Sequence, residues 1–201
     1  MLKKYIVISI LCITIITGYL LSGIVMQKSI AKKVVRLHII PNSNSTFDQN
    51  LKLQVRDKIV EYLSPKLLKS SSIEESKIII ADNIENIKQI SKEITSQYSN
   101  YEINVSLGES NFPTKAYNDY SFPAGTYEAL KITIGEGSGN NWWCVMFPPL
   151  CFTNSSVGAF SQQSQEVLEN SLTKEELNTL KNSSHPNVQI KFKFLEWWNS
   201  N

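Results

Sequence analysis

The sequence predicts an α+β fold: a mostly antiparallel sheet with an αα-hairpin packed on one face, preceded by an N-terminal hydrophobic signal or anchor helix. Three observations carry that expectation. Tyr101–Leu107 and segments like it alternate apolar and polar residues with the period of two that a half-buried strand requires. Two stretches between Thr46 and Tyr98 repeat their apolar residues at intervals of three and four, the spacing of a helix face. Tyr5–Met26 holds 22 residues without a charge, about 33 Å as a helix, enough to cross a hydrocarbon core of about 30 Å.

That leader divides the chain into residues 1–31, a signal peptide or membrane anchor, and an exported domain over residues 32–201. Ser29-Ile30-Ala31 has the small-residue form of a cleavage site, whereas a signal core usually runs only about 7–15 residues, so the length favours an uncleaved anchor through residues 5–26. Lys3 and Lys4 precede the run and Lys28, Lys32 and Lys33 follow it, so charge does not set its orientation. Both readings put the remainder across a membrane. The 201 residues, 42% hydrophobic and 19% charged, suit one globular domain behind such a leader. The net charge of +2 belongs to the leader: without residues 1–31 the balance is −1, which argues against a nucleic-acid surface.

Val34–Ile40 reads as a strand with Val35, Leu37 and Ile39 on one face and Arg36 and His38 on the other. After Pro41, Thr46-x-x-Gln49 reads as a capping box opening a helix to about Tyr62 or Leu63. Leu51, Val55, Ile59 and Tyr62 form its buried stripe, Lys52 and Arg56 face away, and Pro65 marks its stop. Ser72-x-x-Glu75 caps the second helix of the hairpin, with Ile80, Ile84, Ile87 and Ile94 on its stripe. Tyr127–Ile134 and Trp142–Phe147 are strand-like runs whose connection, Gly135–Asn141, suggests an antiparallel pair but is too long for a tight turn. Thr153–Asn170 is a polar stretch, Thr173-x-x-Glu176 opens a short last helix with Leu177 and Leu180, and Val188, Ile190, Phe192 and Phe194 alternate in a final strand. Lys191 and Lys193 would suit a sheet edge there.

Candidate chemistry is sparse. Cys144 with His38 could form the thiol–imidazole pair of an exported hydrolase or thiol enzyme, although each residue has a plainer structural reading. Gly135–Gly139 lacks the Gly-Lys-Ser/Thr ending of a phosphate loop. No Cys-x-x-Cys or His-x-x-x-His spacing occurs, so neither metal nor cofactor is expected, and no small-molecule substrate. Cys144 and Cys151 would bridge in an oxidising compartment and stay thiols in a reducing one. Trp142, Trp143, Phe147, Pro148, Pro149, Leu150 and Phe152 exceed what one half-buried strand needs, and as a group they form a candidate partner surface.

Two passages carry a resemblance. PAGTYEALKITIGEGSGNNWWCVMFPPLCF (Pro123–Phe152) and RLHIIPNSNSTFDQNLKLQVRDKIVEYL (Arg36–Leu63) resemble the blocks that mark the stage II sporulation protein R family of endospore-forming bacteria, and the KFKFLEW ending has a counterpart there. The resemblance implies a non-enzymatic signal. Such a protein is made in the forespore and exported into the space between forespore and mother cell. There it activates a membrane-embedded aspartic protease that processes the pro-sigma-E factor. The resemblance brings no map of the contact residues.

Overall fold

The computed structural model describes residues 2–151 and 161–182. Its elements are α1 (Leu2–Ala31), β1 (Val35–Ile40), α2 (Thr46–Leu67), α3 (Ile73–Asp82), α4 (Ile84–Ser96), β2 (Ile103–Phe112), β3 (Lys115–Tyr117), β4 (Tyr120–Phe122), β5 (Gly125–Ile134), β6 (Trp142–Phe147), α5 (Gln162–Ser171) and α6 (Lys174–Asn182). The fold is α+β, with a four-stranded sheet in the order β2-β5-β1-β6. β2 pairs with β5 and β6 pairs with β1 antiparallel, while β1 and β5 run parallel. The sheet is therefore mostly antiparallel with one parallel seam.

Core layers lie on both faces. On one, α2, α3 and α4 cover Leu37, Ile39, Leu130, Ile132 and Met146. On the other, the end of α1, the β3–β4 hairpin, α5 and α6 cover Ala129 and Val145, with Ile30, Phe122, Leu168 and Leu180 filling the gap. β1 is buried along nearly its whole length, which suits a central strand covered on both sides.

The expected pairing of Tyr127–Ile134 with Trp142–Phe147 is not formed, because β1 lies between them. Strands sit about 4.8 Å apart, so a connection crossing over a third strand must span roughly 10 Å. Gly135–Asn141 has the length for this and a two-residue turn does not. The first helix also differs. Its cap is Ser45, whose hydroxyl accepts from Asp48 N, while Gln49 Nε2 donates to Ser43 O. It runs through Pro65 to Leu67, because Pro65 faces solvent, where the carbonyl it frees can be hydrated, and the extra turn buries Leu67. Lys52 is buried instead of facing away, since its ammonium reaches the Asn140 carbonyl.

The second helix of the hairpin is two. Asn83 breaks it, donating from Nδ2 to Ile79 O and accepting from the Tyr62 hydroxyl, bonds that compete with a continuous helical ladder. Thr173 and Glu176 form the expected reciprocal pair at α6, while at α3 Ser72 Oγ accepts from Glu75 N as expected but the Glu75 carboxylate accepts from Ser71 N and Oγ. The stretch read as polar contains α5, which buries only Ser164 and Leu168. The final strand expected at Val188–Phe194 lies outside the described residues.

α1 has the length and composition to cross a membrane, and its apolar stretch is exposed. Its last turn joins the domain: Ile30 is fully buried, Ser29 Oγ donates to Glu176 Oε1 at 2.7 Å, and Lys33 Nζ pairs with Glu176 Oε2 at 2.7 Å.

On the helix side, Ile87 is fully buried while Ile84 is only half-buried, a departure from the even stripe expected of them. Ile87→Ala should cost about 2–5 kcal/mol in urea unfolding, and Ile84→Ala distinctly less. Equal losses would mean that α4 packs in another rotation.

Candidate functional site

Two loops far apart in sequence fasten one end of the sheet. Asn42 Oδ1 accepts from Glu136 N at 3.1 Å, Ser138 Oγ donates to Asn42 O at 2.6 Å, Gly139 N donates to Pro41 O at 3.2 Å, and Asn140 N donates to Asn44 Oδ1 at 2.6 Å. Gly135 holds φ +59°, and a side chain at Gly139 would strike the Ser43 carbonyl, so glycine is required at both. Asp48 secures the first loop from α2. Burial would raise its carboxyl, but hydrogen bonds led by those from Ser43 and Asn42 outweigh that and hold it below the usual range. The Pro-Asn-Ser-Asn and Gly-Glu-Gly-Ser-Gly passages are thus two halves of one clasp.

β6 leaves that clasp. Trp142 and Trp143 are half-buried on opposite faces of this edge strand, each beneath a cation: Arg56 lies 4.2 Å above Trp142 and Lys115 Nζ 4.6 Å above Trp143. Cys144 and Cys151 form a disulfide with Cα atoms 5.5 Å apart. The turn between them folds back, Leu150 N and Cys151 N both donating to Val145 O. Phe147, Pro148, Pro149 and Leu150 are buried within the domain, and the Phe147–Pro148 peptide is cis. Of the seven residues expected to form a partner surface, those four have no free surface in this conformation. Phe152 lies outside the described residues, and Trp142 and Trp143 remain accessible.

Cys144 does not meet His38. Cys144 packs with Leu37 and Ile39 on the helix face, whereas His38 stacks on Trp143 on the opposite face. A thiol–imidazole pair therefore does not exist in this arrangement. Among the described residues no group of three His, Cys, Asp or Glu could hold a metal.

The sequence reading missed the residue at the centre. Arg36 is fully buried between β5 and β6. Its Nε donates to Cys144 O and its Nη2 to the Tyr117 hydroxyl, both at 3.0 Å, while Tyr117 donates to Trp143 O. Four rings surround the guanidinium: Phe112 at 4.4 Å, Tyr127 at 5.0 Å, Phe122 at 5.4 Å and Tyr117 at 5.8 Å. Among the described residues no carboxylate pairs with it and Nη1 has no acceptor. Burial lowers its pKa, opposed in part by the two tyrosines. The signal was available: one arginine inside a strand otherwise apolar but for His38, with aromatic residues recurring from Phe112 to Tyr127.

Beyond the cage the same face carries a row that is buried at His38 and reaches the surface at Ser106. Ser106, Lys131, His38 and Trp143 fall side by side across the four strands. Burial first, and Lys131 second, push the His38 imidazole down to about 4.

These features coincide with a known protein family. The model of the family described as stage II sporulation protein R matches residues 31–157. The chain is also 33% identical over 219 aligned positions to the stage II sporulation protein R of Bacillus subtilis (strain 168), covering 98% of this chain and 97% of that protein. The chain belongs to the stage II sporulation protein R family. Its matched span begins at the end of α1 and passes beyond Cys151, taking in the whole sheet, the clasp and the Arg36 cage. No solved structure matches the chain.

Two predictions concern this site. Arg36→Ala empties the cage and should cost about 3 kcal/mol or more, whereas Arg36→Met should recover most of that loss by refilling the rings without an uncompensated charge. A methionine variant as unstable as the alanine one would show that the hydrogen bonds, not the packing, dominate. The second prediction is stability against pH. An unfolded imidazole takes up a proton near 6.5 and the folded His38 only near 4, so stability should fall as pH drops from about 6.5 to about 4. Burial opposes but the Lys33, Ser29 and Thr173 contacts prevail at Glu176, lowering it from 4.5 to about 2, so its contribution is complete above about 4.5 and drains away below. Urea unfolding across this range should show both, and His38→Phe should remove the upper part alone.

Proposed function

We propose that this chain is the exported sporulation signal that activates a membrane-embedded aspartic protease in the mother-cell membrane and so triggers processing of the pro-sigma-E factor. Membership of the stage II sporulation protein R family carries the reading. An N-terminal helix long and apolar enough to cross a membrane agrees with a chain made in the forespore and delivered into the intermembrane space. The alternative of an exported thiol enzyme loses its basis, because Cys144 is bridged to Cys151 and faces away from His38.

In this role the protein contributes binding energy and the protease contributes catalysis. An activator shifts its target only by the difference between its affinities for the active and resting states. A rigid ligand loses less freedom on docking, and the clasp, the disulfide and the Arg36 cage supply rigidity around β6. The contact surface we assign is the edge of β6 with Trp142 and Trp143, continued over Lys131 and Ser106. Partly exposed tryptophans on the outermost strand among the described residues offer apolar area to a partner. Phe147, Pro148, Pro149 and Leu150 serve that surface from behind.

The test adds the purified full chain to membranes that contain the protease and the sigma precursor. Cleavage should rise with the wild-type chain. Trp143→Ser should reduce activation at least tenfold at a temperature where the variant remains folded, whereas Leu150→Ser should lower stability by about 2–5 kcal/mol. No rise in cleavage with the folded wild-type chain would refute the function. Full activation by the tryptophan variant would refute the surface.

A further inference from the structure

The last turn of α1 belongs at once to a membrane-length helix and to the folded domain. The uncharged run ends at Met26 and Ile30 is already in the core, so with α1 across a bilayer Gln27 to Lys33 lie at the level of the lipid headgroups. Three lysines follow the span. Lys33 is taken by Glu176. Lys28 and Lys32 have no ion pair among the described residues, and at a spacing of four they share one helix face and repel each other.

Those two lysines line a cleft of about 340 Å³ between α1, β5 and α3, with Lys77 on its far wall. Gln27 borders it, with its amide packed against Gly125 beside the Tyr127 hydroxyl. Glu109 and Glu128 also line the cleft, Glu128 standing 3.6 Å from Lys77. Three lysines against two glutamates leave one positive charge, the complement of a phosphodiester with one negative charge rather than of free phosphate with nearly two. We propose that this cleft seats the phosphodiester of a phospholipid from the membrane that α1 spans. Lys28 and Lys32 grip the phosphate oxygens, and the acyl chains run down the exposed apolar flank of α1. The seat fixes the domain's tilt on the bilayer and is independent of the protease reading.

The test is native mass spectrometry of the full chain in maltoside detergent, titrated with phosphatidylglycerol or with phosphate-free diglucosyl diacylglycerol. One phosphatidylglycerol should be retained and the glycolipid should not. Lys28→Gln with Lys32→Gln should weaken retention at least tenfold while the melting temperature in lipid-free detergent stays the same. If the double variant folds poorly, Lys32→Gln alone, at an exposed position, should still weaken retention severalfold. Equal retention of the two lipids, retention unaffected by either variant, or displacement by inorganic phosphate at matching concentration would overturn the proposal.

Discussion

A guanidinium buried at the centre of a sheet, with no carboxylate among the described residues to neutralise it, constrains everything built on that face. Arg36 has given up its hydration and recovers two hydrogen bonds and the faces of four rings. Only a flat, weakly hydrated cation suits such a cage, because it stacks and donates in one geometry. The β3–β4 hairpin supplies Tyr117 and Phe122, while Phe112 and Tyr127 come from the paired ends of β2 and β5. The excursion between those strands therefore has a physical purpose as a lid. Through Tyr117 the lid also holds the Trp143 carbonyl, which ties the cage to the edge strand.

The clasp does for the other end what the cage does for the middle. Its bonds run from backbone to side chain across more than ninety residues of sequence, between loops without regular structure. Loops in that condition stay rigid only when their polar groups are satisfied. Rigidity here passes directly into Trp142, the first residue of β6. The conspicuous glycine and asparagine content of the passage thus reflects close backbone approach between the two loops.

What was legible in the sequence was local. The alternation that announces β2, the capping pairs that open α3 and α6, and the apolar run of α1 each depend on residues within a turn or two of one another. What was not legible depends on distant partners. The strand pairing was misread because nothing local tells Tyr127–Ile134 that Val35–Ile40 will insert beside it. Helix α2 passes Pro65 because Leu67 finds a core, and the second helix breaks at Asn83 because Tyr62 waits across the groove. At the site, the aromatic excess of β6 was visible but its division was not: Leu150 and the two prolines face inward, and Trp142 and Trp143 stay accessible. Arg36 went unnoticed because a charge on a strand is ordinarily read as its solvent face.

With the β6 edge and the row through Lys131 and Ser106 proposed as the contact surface, the α2–α4 layer is turned away from the protease. Site-specific photocrosslinking in sporulating cells tests this most directly, with the photoreactive residue placed at Lys131 on that row or at Ile78, an exposed position on α3. The proposed surface predicts a crosslink to the protease from position 131 and none from position 78. A crosslink from position 78 with none from position 131 would contradict it.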